Sequence, residues 1–222
     1  MMMYGFVILS LLITIGAQIY LRAVFGKYKE IRNSAGMTGA EAARQMLDAH
    51  GLYQVQIERI SGSLTDHFDP TANVIRLSED VYDKTSVAAV GVAMHETGHA
   101  LQLAEQYLPF RIRHAVVRTT NISSYLSYFM IILGILFSSY NLMTVGIWFF
   151  CAVIFFQLVT LPVEFNASGR AVRELGVMAG MMPSDKSGAA KVLRAAAMTY
   201  VAALATSLLQ LLRLLAIRGR RS

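Results

Sequence analysis

The chain has 222 residues, enough for one domain or for a small domain plus membrane helices. It is 55% hydrophobic and 15% charged, against roughly 25% charged in soluble proteins, which argues against an ordinary soluble protein. The net charge of +6 does not make a nucleic-acid binder, because the cations cluster beside apolar runs as positive-inside flanks do. The single cysteine, Cys151, excludes a disulfide within the chain and lies in an apolar run, as a small buried hydrophobe would.

Met1 to Leu21 is apolar apart from a few small polar residues. Tyr4 to Leu21 makes about 27 Å of helix, close to the thickness of the bilayer's hydrocarbon core. A cleaved signal would need a positive start and a small-residue cleavage site, and neither is evident. Positive charge follows the run instead, at Arg22, Lys27, Lys29 and Arg32, so the expected span starts outside and exits into the cytoplasm.

Thr38-Gly39-Ala40-Glu41 is a capping box that should open a helix, with Ala40, Ala43, Met46 and Leu47 on its apolar side and Gly51 at its end. His50, in the last turn, fits a dipole-complementing residue better than a metal ligand. Val55 to Ile60 reads as a strand, Asp69 to Asn73 as a turn, and Val74 to Leu77 as a second strand. That second strand is a candidate edge for holding an extended peptide, or simply part of a hairpin. Asp66, His67, Asp69 and Asn73 are dense enough to suggest a place behind a metal or against a substrate, although turn-stabilising Asp is the commoner use.

The stretch from about 85 to 106 reads as a helix carrying His95-Glu96-Thr97-Gly98-His99 beside a stripe of Val87, Val90, Gly91, Met94, Gly98 and Leu101. Histidines four apart share a helix face and can reach one zinc ion, and the glutamate between them is placed to act as a general base. Pro109 is expected to end regular structure there. A basic collar of Arg111, Arg113, His114 and Arg118 follows. From Thr119 to Val163 there is no charged residue and no histidine, which reads as a membrane hairpin with its loop outside and both ends in the cytoplasm.

A catalytic zinc takes three protein ligands and keeps a position for water. Glu105 lies too far along the same helix to share an ion with His95. Glu164, the first charge after the hairpin, is the favoured third ligand, and Glu174 stays open as the alternative. A last helix from Lys191 to Leu215 contains an uncharged stretch, Ala195 to Leu212, slightly favoured as a fourth span. Arg213, Arg218, Arg220 and Arg221 crowd its far end, against the positive-inside rule.

With HETGHALQ, LTDHFDP and LPVEFNASGRA in view, the chain resembles the YugP-like neutral zinc metallopeptidases of bacterial membranes, over most of its length. The order of HExxH, membrane hairpin and following Glu is similar to that of the HtpX-type and CAAX prenyl protease type I enzymes. The resemblance implies His95, His99 and Glu164 as ligands of one zinc ion per chain and Glu96 as the base, a gluzincin-like site. The wider class often has an Asp soon after the third ligand, where this chain has Asn166 and Ser168.

The expected fold is a mainly α membrane protein with a small α+β zincin-like cytoplasmic domain. Its expected parts are a transmembrane helix (1–25), a cytoplasmic domain (26–118), a transmembrane hairpin (119–163), a cytoplasmic segment with the third ligand (164–194), and a C-terminal hydrophobic helix with a basic tail (195–222). The expected function is zinc-dependent endopeptidase activity at the cytoplasmic face of the bacterial inner membrane. Peptides or membrane proteins would be the substrates, the lipid bilayer the surroundings, and nucleic acid no partner. Arg170, Arg173, His67 and His114 are candidates to hold the oxyanion. The alternatives are a zinc-stabilised membrane scaffold without turnover, which would not need Glu96, and a zinc hydrolase acting on lipid.

Overall fold

A computed structural model describes residues 2–219, and side chains from Gly5 onward. Arg220 and Arg221, expected in the basic tail, lie outside the described residues. The order of elements is α1 (Met2–Lys29), α2 (Gly39–Ala49), β1 (Gln56–Ile60), β2 (His67–Asp69), β3 (Val74–Ser78), α3 (Val87–Ala104), α4 (Leu108–Leu136), α5 (Tyr140–Leu175) and α6 (Pro183–Gly219). Among the described residues, four helices are long and apolar enough to cross a membrane: Gly5–Lys29, Leu108–Leu136, Tyr140–Leu175 and Pro183–Gly219. The last of these takes the expected fourth place.

The chain divides into two compact units, one made of Met1–Gln18, Arg111–Pro162 and Met198–Ser222, the other of Ile19–Phe110 and Val163–Ala197. In the first, small residues let helices approach closely, as is common between helices in lipid. A Cβ at Gly134 would stand 2.7 Å from the Met143 nitrogen, and one at Gly146 would stand 3.0 Å from the Ile131 nitrogen. The Ser127 hydroxyl donates to the Gly146 carbonyl at 2.9 Å. Leu214 of α6 packs with Ile131, Ile147, Phe150 and Ile154, and Arg218 lies over the Tyr140 ring at the start of α5.

The second unit holds the sheet, in the order β1-β3-β2. β3 pairs parallel to β1 and antiparallel to β2. The strand expected to offer a free edge to a peptide is therefore the central one, and its buried Val74, Ile75 and Leu77 belong to the core. β2 has no counterpart among the expected elements, and only its last residue, Asp69, falls in the expected turn. Three residues are too few to show an alternating pattern, and the strand exists because β3 supplies a partner.

α2 begins as expected, with both halves of the Thr38–Glu41 capping box formed. Its Ala42, Ala43, Met46 and Leu47 are buried, and Gly51 takes a φ of +72° just beyond its end. α3 begins one residue after Ser86, whose hydroxyl accepts from the Ala89 N–H.

One proline departs from expectation, and a second is carried inside a helix. Pro109 sits in the first turn of α4, where its missing N–H costs nothing, so the basic collar is helical rather than irregular. Pro162 lies inside α5, which runs unbroken past it to Leu175. Glu164 consequently stands on the same helix as the hairpin's second arm.

Candidate metal centre

α3 is buried along most of its length and meets its neighbours through glycine. A Cβ at Gly98 would fall 2.7 Å from the Ala167 carbonyl oxygen and 3.1 Å from its Cα, so only glycine admits the α5 backbone at this distance. Ala167 is three residues after Glu164, hence on the same helix face. The close approach brings the Glu164 side chain to the two histidines.

His95 Nε2 lies 3.3 Å and His99 Nε2 lies 3.7 Å from the same atom, Glu164 Oε2. The imidazoles are nearly perpendicular, 82° apart, with centroids separated by 4.8 Å. Among the described residues these three form the group of His, Cys, Asp and Glu side chains able to hold a metal ion, their donor atoms all within 4.8 Å of one another. The two distances from Glu164 to the imidazoles are close to those such an ion would set. Zinc bonds of about 2.0–2.1 Å place tetrahedral ligand atoms about 3.3–3.4 Å apart, beyond the usual N–H···O range of about 2.7–3.2 Å. Two neutral imidazoles and one carboxylate are also an ordinary donor set for zinc.

The far nitrogens of both rings are engaged. His95 Nδ1 lies 3.1 Å from the Ser168 hydroxyl, and His99 Nδ1 lies 3.0 Å from Gln102 Oε1. Such contacts fix the orientation of metal-binding imidazoles.

Glu96 is 8% exposed. Its Oε2 accepts the Phe68 N–H of β2 at 3.0 Å. That N–H points away from β3, so the outward edge of β2 faces the base. Burial pushes the Glu96 carboxyl up to about 7; His95 and the Phe68 N–H oppose the rise, while Glu164 and Asp66 add to it.

The other expected site residues have structural partners. Asp66 accepts the Ser78 N–H at 2.7 Å and the Ser78 hydroxyl at 3.0 Å, and burial raises its carboxyl above the usual range. His67 is exposed, with Nδ1 2.9 Å from the Thr65 carbonyl. Asp69 accepts the Thr71 and Ala72 N–H groups and pairs with Arg76 at 2.9 Å, which helps hold its carboxyl below the usual range. Asn73 takes a φ of +54° in the turn before β3. Arg170 grips both oxygens of Glu105 at 2.7 Å and donates from Nε to Asn166 at 2.7 Å. Glu174 pairs with His50 at 3.1 Å, apart from the converging set, and His114 lies on α4 in the other unit. Gln102 and Ser168 were not singled out for a role from the sequence. The spacing of Gln102, three residues after His99 on the same helix, was the available signal.

Residues 3–219 match the family described as "Putative neutral zinc metallopeptidase". The chain belongs to this family. It is also 47% identical over 201 residues to "Putative membrane protease YugP" of Bacillus subtilis (strain 168), covering 90% of this chain and 89% of that protein. No solved structure is significantly similar to it.

Proposed function

We propose that this chain is a membrane-embedded zinc endopeptidase that hydrolyses peptide bonds at the cytoplasmic face of the bacterial inner membrane. The observation that carries the reading is the convergence of His95, His99 and Glu164 on one point, with the buried carboxyl of Glu96 on the intervening helix position. His95 and His99 would contribute Nε2 and Glu164 its Oε2 to the ion. Zinc, when bound there, supplies Lewis-acid activation of water and of the scissile carbonyl.

The remaining steps belong to the protein. Glu96, ionised, takes the proton from the attacking water as its oxygen bonds to the scissile carbon. The C–N bond then breaks, and Glu96 delivers that proton to the departing amine nitrogen, returning to its starting state. A base that gives up its proton within one turnover works best with a pKa near the working pH, and burial brings Glu96 to that range. The positive flanks of the first span and of the hairpin support a cytoplasmic site with the N-terminus outside. Peptides or membrane proteins close to the inner leaflet are the substrates this placement favours.

The test is zinc content and quenched-peptide cleavage for the purified parent and Glu96→Gln. Cleavage by the parent, with zinc retained and cleavage abolished in Glu96→Gln, is the expected result. Equal behaviour of the two proteins with zinc bound would overturn the catalytic reading in favour of a scaffold.

A further inference from the structure

Behind His99, on the side away from Glu164, α3 and α5 share a row of hydrogen bonds whose directions can be read one from the next. It begins at Arg170, whose guanidinium only donates. Its Nε stands 2.7 Å from the Asn166 side chain, so the Asn166 atom facing it is the carbonyl Oδ1. That oxygen lies 2.9 Å from one terminal atom of Gln102, which must therefore be the amide nitrogen. The backbone gives the same answer independently: the same Gln102 atom is 2.8 Å from the Val163 carbonyl, which only accepts. The other terminal atom of Gln102 is then the oxygen, and it faces His99 Nδ1 at 3.0 Å. An amide oxygen cannot donate, so His99 carries its proton on Nδ1. In the neutral ring Nε2 is left with its lone pair, on the side of Glu164 Oε2.

We propose that Gln102, held by Asn166 and Arg170, is a positioning residue that locks His99 in the Nδ1–H tautomer and so presents an unprotonated Nε2 to the metal; this rests on the zinc reading of the site. Without the lock the neutral ring is free to carry its proton on Nε2, and that form cannot ligate. Gln102 is fully buried, so water does not replace its bonds cheaply. Glu105 anchors the far end by holding both terminal nitrogens of Arg170.

The experiment uses the full chain in detergent, labelled with ¹⁵N-histidine. The His99 tautomer is read by NMR in the metal-free protein, and zinc affinity is read by competition with a chromophoric chelator. Gln102→Met keeps the side-chain volume and removes the amide. Asn166→Leu removes the acceptor behind it, whereas Asn166→Asp keeps one. The expected results are a mixed tautomer and about 10–100-fold weaker zinc binding in Gln102→Met, a change in the same direction in Asn166→Leu, and the parental tautomer in Asn166→Asp. A tautomer and affinity unchanged in Gln102→Met would overturn the lock and leave the zinc reading standing. A parent that binds no zinc, with the tautomer still mixed in Gln102→Met, would overturn the zinc reading and support the lock on the ring.

Discussion

Gly98→Ala isolates the contact that brings the ligand set together. In a helix, alanine is intrinsically better than glycine by about 1 kcal/mol, so propensity alone makes the change stabilising. Sterically, the new methyl would sit 2.7 Å from the Ala167 carbonyl oxygen, 3.1 Å from its Cα and 3.2 Å from its carbonyl carbon. These are backbone atoms of a buried helix, so relief requires α3 and α5 to separate. Overpacking of this kind costs about 1–3 kcal/mol, and a backbone clash belongs in the upper half of that range. The net expectation is a loss of about 1–2 kcal/mol.

Two further glycines calibrate the argument. A Cβ at Gly169 meets nothing within 4 Å, and one at Gly91 meets only the Ala189 residue, at 3.1 Å from its Cβ. Gly169→Ala should therefore be stabilising, Gly91→Ala close to neutral and Gly98→Ala destabilising. Thermal unfolding in detergent gives the ranking. Zinc competition should show weaker binding in Gly98→Ala only, because separation moves Glu164 Oε2 away from both histidines. If Gly98→Ala is as stable as Gly169→Ala and binds zinc like the parent, the close approach does not assemble the site.

Glu164→Ala removes the only carboxylate in the set, and zinc should be lost on dialysis, as measured by metal analysis. A ligand that binds only the folded state adds about 2.7 kcal/mol at a hundredfold excess over its Kd, so chelator should lower the unfolding temperature of the parent and of Glu96→Gln but not of Glu164→Ala. The pH dependence follows from Glu96, whose carboxyl burial pushes up to about 7. Only the carboxylate accepts a proton, so kcat/KM should fall as pH drops through the Glu96 pKa and level off above it. A bound dication favours the carboxylate, which places this limb below about 7 in the zinc-loaded protein and near 7 for direct NMR titration of the metal-free protein. An acid limb that persists unchanged in position when Glu96 is replaced by Asp in an active variant would assign the titration elsewhere.

Local periodicity is what made part of this molecule legible from its sequence. The capping box of α2, the apolar stripe of α3 and the paired histidines all depend on neighbours within a few residues, where helix geometry dictates which side chains share a face. Glu164 was reachable by a longer route, because an expected membrane hairpin between it and the HExxH helix would return the chain to the side it left. Pairing across long separations was not legible. β2 is three residues long and exists through β3, and the bonds from Gln102 to Val163 and Asn166 close over 61 and 64 residues. Pro109 is misleading because the same residue that breaks a helix interior also fits a helix's first turn.

The position of Asn166 and Ser168 acquires a physical meaning once the contacts are seen. A carboxylate following the third ligand would be expected to back a histidine with negative charge and raise its basicity. Here both rings are backed by neutral oxygens, His95 by the Ser168 hydroxyl and His99 by the Gln102 amide. The nearest acid in the row behind His99 is Glu105, and its charge is taken up by Arg170 before it reaches Asn166. The array behind the ligands thus fixes direction without adding charge. Replacing Asn166 by Asp, alone among the changes considered, adds that charge while keeping the geometry. Any difference between Asn166→Asp and the parent in zinc affinity therefore measures ligand basicity, separate from the positioning that Gln102→Met removes.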